Sequence, residues 1–234
     1  MMEKRIIKAV EEGHNVLILG QAGTGKTHLL TKLAKLNNSC AMTATTGMAA
    51  SLFPCGQTVH RFLGLMDGRY SDLELAQKIM NEPEMAHIER NIKNTELLFI
   101  DEVSMLSEKL FLQIETVCRC VRKSSVPFGG LQVVLSGDFY QLKPVANVKY
   151  NDMGKLCIEA AQFSELIPHH FVLTEVHRQT ERDLIEAINL CCQGKVSDKV
   201  TQLLHRLKRP LPPGPPPTKL FALNYGVGLC IQSN

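Results

Sequence analysis

Gly20-Gln21-Ala22-Gly23-Thr24-Gly25-Lys26-Thr27 matches the pattern Gly-x-x-x-x-Gly-Lys-[Ser/Thr] at every fixed position. The flanks are those the pattern requires. The apolar run Val16 to Leu19 leads in as a strand, and Lys26 to Leu36 follows with Leu29, Leu30, Leu33 and Leu36 at the spacing of one helical face. Glycines let successive backbone N–H groups turn inward around phosphates, and the helix N-terminus adds its positive dipole end. Lys26 then reaches the β- and γ-phosphates, and the Thr27 hydroxyl is a ligand for Mg²⁺. A Gly-rich turn is the plain alternative; the strand before and the helix after argue for a nucleotide site.

Outward from this loop, short apolar runs alternate with helical patterns: Ala41 to Thr43, Leu97 to Ile100, Leu131 to Leu135 and Phe171 to Leu173. Alternation of this kind predicts an α/β fold with a mostly parallel sheet flanked by helices. Met66 to Asn94 is polar and helix-prone, with Pro83 as a breaker, and reads as an elaboration between core strands. After Leu173 the character changes. Glu181 to Cys192 and Val200 to Leu207 read as helices, and Pro210 to Pro217 holds six prolines in eight residues, a stiff linker or surface loop, with an SH3 or WW ligand as the weaker alternative. Lys219 to Leu223 reads as a strand opening a second sheet. The expected division is 1–173, a complete phosphate-loop domain, and 174–234, the beginning of a second.

Composition narrows the classes. With 44% hydrophobic and 21% charged residues in 234, the chain is ordinary for a soluble globular protein. Twenty-six basic against 23 acidic residues leave +3, too little to argue nucleic-acid binding from net charge, so any such case rests on local sites. Arg119, Arg122 and Lys123, and Arg206, Lys208 and Arg209, form basic clusters of the kind that are usually solvated helix faces. Eight cysteines without a Cys-x-x-Cys pair read as reduced core thiols, and Cys118-x-Cys120 inside a helix would point to different sides, against a zinc site. His169-His170 reads as a polar loop pair. Met1 to Val10 carries charges throughout, and no run approaches membrane-spanning length, so a soluble protein that is not secreted is expected.

Two further segments bear on chemistry. Leu97-Leu-Phe-Ile-Asp101-Glu102 is an apolar strand ending in two carboxylates, Asp101 placed to hold Mg²⁺ and Glu102 to polarise the water attacking a γ-phosphate. Adjacent acids also sort the hydrolases. A Ras-like GTPase would carry Asp-x-x-Gly here and a guanine-reading Asn-Lys-x-Asp later, and neither is present; a small-molecule phosphotransferase has no evident need of Glu102. ATPases remain. Gly129 to Val145 is a third strand ending in a polar turn, in which Gln141 would sense the γ-phosphate and Asp138 steady the loop; alone, the segment reads equally as a strand and its turn.

These motifs in this order, with Thr43-Ala-Thr-Thr-Gly-Met-Ala-Ala50, Gly56-Gln-Thr-Val-His60 and Leu173-Thr-Glu-Val-His-Arg-Gln179, resemble the petite-integration-frequency (PIF) helicases, superfamily-one DNA helicases that move 5′ to 3′. The resemblance runs from about Ile6 to Asn224. The segment Glu102 to Arg122 resembles the family's signature insert, its apolar positions Val103, Leu106, Leu110, Ile114, Val117 and Val121 recurring at helical spacing. What the resemblance implies is a RecA-like phosphate-loop fold with the start of a second RecA-like domain, and ATP and Mg²⁺ as cofactors. It implies Arg178 as the arginine finger, and Thr45, Thr46, Gly47, Thr58 and His60 as contacts to single-stranded DNA. Taken alone, His60 would read as a surface or capped histidine.

The implied activity is ATP-driven translocation and unwinding on single-stranded and forked duplex DNA, in repair, recombination and telomere maintenance. The implied compartment is the nucleus, with mitochondria as the alternative, and no membrane is involved. Two departures qualify this. Glu3 stands where the family carries an adenine-reading Gln, and a carboxylate cannot donate to adenine N7; either base selectivity differs or the chain starts downstream of the true N-terminus. The 56 residues after Arg178 fall short of a full second RecA-like domain, so a truncated chain is expected, with a nucleotide- and DNA-binding fragment that unwinds nothing as the alternative reading.

Overall fold

The computed structural model describes residues 2–210, 213–215 and 218. It divides into two compact units, Met1–Glu181 and Arg182–Asn234. In the first, six strands form one sheet: β1 Val16–Gly20, β2 Cys40–Ala44, β3 Gln57–Thr58, β4 Leu97–Asp101, β5 Gln132–Gly137 and β6 His169–Leu173, in the order β3-β2-β4-β5-β1-β6. Every pairing is parallel, with Val16 opposite Val134 on one side and His169 on the other. The helices are α1 Met2–Glu11, α2 Lys26–Ala34, α3 Gly47–Ala50, α4 Val59–Leu63, α5 Asp72–Asn81, α6 Ala86–Asn94, α7 Glu108–Arg122 and α8 Phe163–Leu166.

Side chains alternate across the sheet and are covered on both faces, as parallel sheets require. Val16, Ile18, Leu97, Phe99 and Val134 pack against Ile6 and Val10 of α1 and Leu29, Leu30 and Leu33 of α2. Their neighbours Leu17, Leu98, Ile100, Val133 and Leu135 face the other way, onto Leu63, Leu75, Ile79, Ile92, Phe111, Ile114, Val117 and Val121 of α4 to α7. The elaboration between core strands is thus two helices, α5 and α6, parted by a 3₁₀ turn at Pro83–Met85 and packed under α7. Ser71 and Glu74 close a capping box at the start of α5.

The structure corrects several expectations. The helical spacing read from Glu102 onward begins only at Glu108, because Ser107 caps α7, accepting from the Leu110 N–H at 3.2 Å. Val103 to Met105 form a 3₁₀ turn instead, yet Val103 and Leu106 still reach the core. Leu36 lies beyond the end of α2 and is half exposed. His169 and His170 are the first residues of β6, not a loop; His169 stacks on His14 with centroids 4.2 Å apart, and His170 bonds the Ile167 carbonyl. Of the described cysteines only Cys118 and Cys157 are buried, and Cys55 and Cys191 are exposed. Both buried thiols are pushed up to about 12 by desolvation. The two-residue strand β3 was too short to carry a period in the sequence.

In the second unit, α9 Arg182–Cys192 and α10 Asp198–Leu207 pack through Ala187, Val200 and Leu203. Ser197 caps α10. Residues 211, 212, 216 and 217 of the proline-rich stretch, the strand expected over Lys219 to Leu223, and Asn224 and Cys230 lie outside the described residues. Among the described residues no helix is long and apolar enough to cross a membrane.

Candidate active site

Because all strands are parallel, their C-terminal ends share one rim, the place where ligands gather in open α/β sheets. Gly20, Ala44, Thr58, Asp101, Gly137 and Leu173 end the six strands there. Out of β1 the chain turns through Gln21 to Gly25 and enters α2 at Lys26. Gly23 (φ 86°) and Gly25 (φ 84°), the residue preceding α2, hold left-handed backbone, and a Cβ on Gly23 would lie 2.8 Å from the Arg178 Cβ. The sequence has glycine at both points for that reason.

Lys26 is only 8% exposed, and its Nζ donates to the carbonyls of Gly20 at 2.6 Å and Gln21 at 3.1 Å. Desolvation lowers its pKa, opposed by the nearby carboxylates of Asp138, Glu102 and Asp101. The Thr24 hydroxyl donates to the Gln21 carbonyl at 2.8 Å, tightening the turn. Thr27 Oγ1 lies 3.5 Å from Asp101 Oδ2, bringing helix and strand ends together.

Asp101 is 2% exposed and accepts the Glu102 N–H at 3.0 Å. Burial pushes its carboxyl above the usual range. Burial raises Glu102 as well, with the Asp101 charge adding to it. Glu102 sits at φ 57°, ψ 42°, a left-handed conformation that strains a residue with a Cβ. After β5, Asp138 accepts from the Tyr140 N–H at 3.1 Å and from Gln141 Nε2 at 3.3 Å, so Gln141 is held on this rim through Asp138. The N–H groups of His177 and Arg178 donate to the Gly23 carbonyl at 2.8 and 3.3 Å, and the Arg178 charge is near enough to disfavour protonated Lys26. Lys26, Thr27, Asp101, Glu102, Asp138 and Arg178 therefore form one cluster, with Gln141 one bond away.

Thr45, Thr46, Gly47, Thr58 and His60 form a second group, at the ends of β2 and β3, where Ala44 pairs with Thr58. Thr46 and Thr58 cap α3 and α4 through their hydroxyls. His60 is half-buried, and burial lowers its pKa. Thr45 differs from the rest: its hydroxyl donates to the Glu102 carbonyl at 2.8 Å and its N–H to the Asp101 carbonyl at 3.1 Å. That link was invisible in the sequence, since nothing in a motif tells which carbonyl a threonine reaches.

A cleft of about 400 Å³ lies beside Thr24 and Gly25, lined by Glu3, which the resemblance had singled out, and by His28, Leu29, Leu173 and His177 among others, whose place in a cleft the sequence reading missed. His28 follows Thr27 directly and His177 precedes Arg178, so adjacency to the two motifs was a usable signal. The basic cluster at 119–123 proves structural. Arg119 pairs with Glu115 at 2.7 Å, and Arg122 donates to the carbonyls of Ile92, Thr95 and Gly129.

Comparison with known proteins identifies the family and the fold. The model of the PIF1-like helicase family matches residues 2–200. The Saccharomyces cerevisiae ATP-dependent DNA helicase RRM3 is 34% identical over 98% of this chain and 32% of its own length. A Pif1 helicase from Candida albicans superposes with a TM-score of 0.88 at 31% identity, over 99% of this chain and 53% of the other. The Pif1 helicase from Bacteroides, solved with ADP-AlF3 and single-stranded DNA, gives 0.77 at 30% identity, over 88% and 49%. The chain thus spans about a third of the length of the curated relatives it matches.

Proposed function

Because this chain belongs to the PIF1-like helicase family, we propose that it binds ATP on Gly20 to Thr27 and hydrolyses it, as part of a DNA helicase that moves 5′ to 3′ along a single strand and opens forked duplexes. The observation that carries this reading is the convergence of Thr27 and Asp101, 3.5 Å apart, beside the buried Lys26. A hydroxyl and a carboxylate are the hard oxygen donors that suit Mg²⁺, so the residues present fit the ion. Bound there, Mg²⁺ would neutralise charge on the phosphate oxygens.

The chain's own residues account for the rest. Loop N–H groups cradle the phosphates, and Lys26 exchanges its bonds to Gly20 and Gln21 for phosphate oxygens. Glu102 orients the attacking water, Gln141 reports the γ-phosphate through Asp138, and Arg178 supplies positive charge to the transferring group. Thr46, Gly47, Thr58 and His60 take the DNA strand, in the role the resemblance gives them; the Bacteroides relative is named as binding single-stranded DNA. By the same route we place the protein in repair, recombination and telomere maintenance, in the nucleus or in mitochondria, and take 174–234 as the opening of a second RecA-like domain.

The test is steady-state ATP turnover with and without single-stranded DNA, alongside Lys26→Ala and Glu102→Gln. DNA-stimulated turnover abolished by both substitutions is the expected result. Nucleotide and DNA binding with no turnover would instead support a fragment that binds and unwinds nothing, and no nucleotide binding would overturn the reading.

A further inference from the structure

β3 ends the sheet and pairs Gln57 and Thr58 with Thr43 and Ala44 only, at one end of β2. The other residues of β2, Cys40, Ala41 and Met42, have β4 on one side and no strand on the other among the described residues. In a parallel ladder successive residues turn their N–H and C=O groups to opposite sides. The Ser39 carbonyl accepts from the Glu96 N–H and the Thr45 N–H donates to the Asp101 carbonyl, both on the β4 side. Ala41 and Thr43 therefore face β4 as well, and the N–H groups of Cys40 and Met42 point out of the open edge.

A cleft of about 460 Å³ lies along that edge. Its walls come from both faces of the sheet: Ala34 and Phe53 belong to the core on one face, Ala41 and Phe62 to the core on the other. A space bounded in this way is where β3 would run if it were longer. An extended backbone laid there would meet the free N–H groups of β2, and its alternate side chains would lie toward Phe53 and toward Phe62. Lys35 also lines the cleft, is exposed, and joins no ion pair among the described residues, so it has a charge to offer an acid. Cys40 opens β2, which sets this end of the edge apart from the rim that carries the phosphate loop. We propose that the cleft docks an extended, apolar, carboxylate-bearing segment of a partner protein, which adds to β2 as a short strand in continuation of β3.

The experiment titrates the whole 234-residue chain with a fluorescein-labelled peptide, Glu-Val-Ile-Val-Glu, and follows anisotropy and amide exchange. Saturable binding is expected, with the Cys40 and Met42 amides exchanging more slowly in the complex and those of Ala41 and Thr43, already bonded to β4, unchanged. The same peptide N-methylated at alternate residues should bind about tenfold more weakly, since the backbone bonds go. Lys35→Glu should weaken the acidic peptide about fivefold and favour its Lys-Val-Ile-Val-Lys counterpart, while nucleotide binding stays as in the parent. No binding of the acidic peptide overturns the proposal. So does equal affinity for the N-methylated one, or protection without the alternation, either of which would mean an apolar cavity filled by side chains and no added strand.

Discussion

Thr45 directly follows β2, and its hydroxyl donates to the Glu102 carbonyl, which ties a threonine proposed to meet DNA to the backbone of the carboxylate proposed to orient the water. Losing one such bond costs about 1 kcal/mol. Thr45→Val is therefore expected to slow turnover about fivefold while moving single-stranded DNA affinity less than about twofold, and Thr45→Ser to keep the parent rate; equal losses of rate and DNA affinity in Thr45→Val would show the threonine acting only as a DNA contact. The two acids make a different prediction. Burial holds Asp101 and Glu102 above the ordinary carboxylate range in the folded chain. The folded state then keeps protons to higher pH than the unfolded state, so stability falls as pH rises from the unfolded pKa, near 3.8 for Asp101, through the raised folded value. Asp101→Asn, which removes that penalty, should raise the Tm at pH 7, with the gain vanishing near pH 4, while turnover is lost. Thermal melts at both pH values check it; a lower Tm at pH 7 would mean that pairing with Lys26 outweighs desolvation.

Among the elements, α7 shows how packing and charge divide the labour. Its Phe111, Ile114, Val117 and Val121 fill the core, while Arg122 at its end binds the carbonyls that α6 and the 127–130 turn leave open. Arg122→Ala should lower stability by about 2–3 kcal/mol, since several charge-assisted bonds go at once, read as a lower urea midpoint with unchanged slope. Affinity for DNA should not move; a fall in it without a stability change would restore the cluster as a nucleic-acid contact. Five of the six strands and the major helices were legible in the sequence, because strands buried on both faces read as short continuous apolar runs and helices with one buried face repeat apolar residues at period 3.6. What was illegible lacked that mark. The two residues of β3 are held by β2 alone, the left-handed turn at Glu102 breaks a pattern that reads as helix, and His169 and His170 pair with β1 through backbone bonds that histidine neither signals nor forbids. In the site the phosphate loop and paired acids were plain because glycine and carboxylate have few other reasons to recur at that spacing. The cleft residues Glu3 and His177 meet only through folding.

For the molecule as a whole, the first unit keeps its core to itself, so residues 1–181 alone should fold and bind nucleotide within about threefold of the full chain. Circular dichroism and a nucleotide titration would test that, and an unfolded 1–181 would show that the second unit is needed. Ending the chain at residue 168 should be far worse, since β1 then loses a neighbour along its full length. That neighbour matters for another reason. Val16, at the start of the phosphate-loop strand, waits for Val134 and then His169 to complete its place in the sheet. On a ribosome adding about 5–20 residues per second, roughly eight to thirty seconds pass between the emergence of β1 and that of β6. Through that interval one of the most apolar strands of the chain has no finished sheet to join, which makes the nascent protein a natural client for chaperones well before it has any nucleotide to hold.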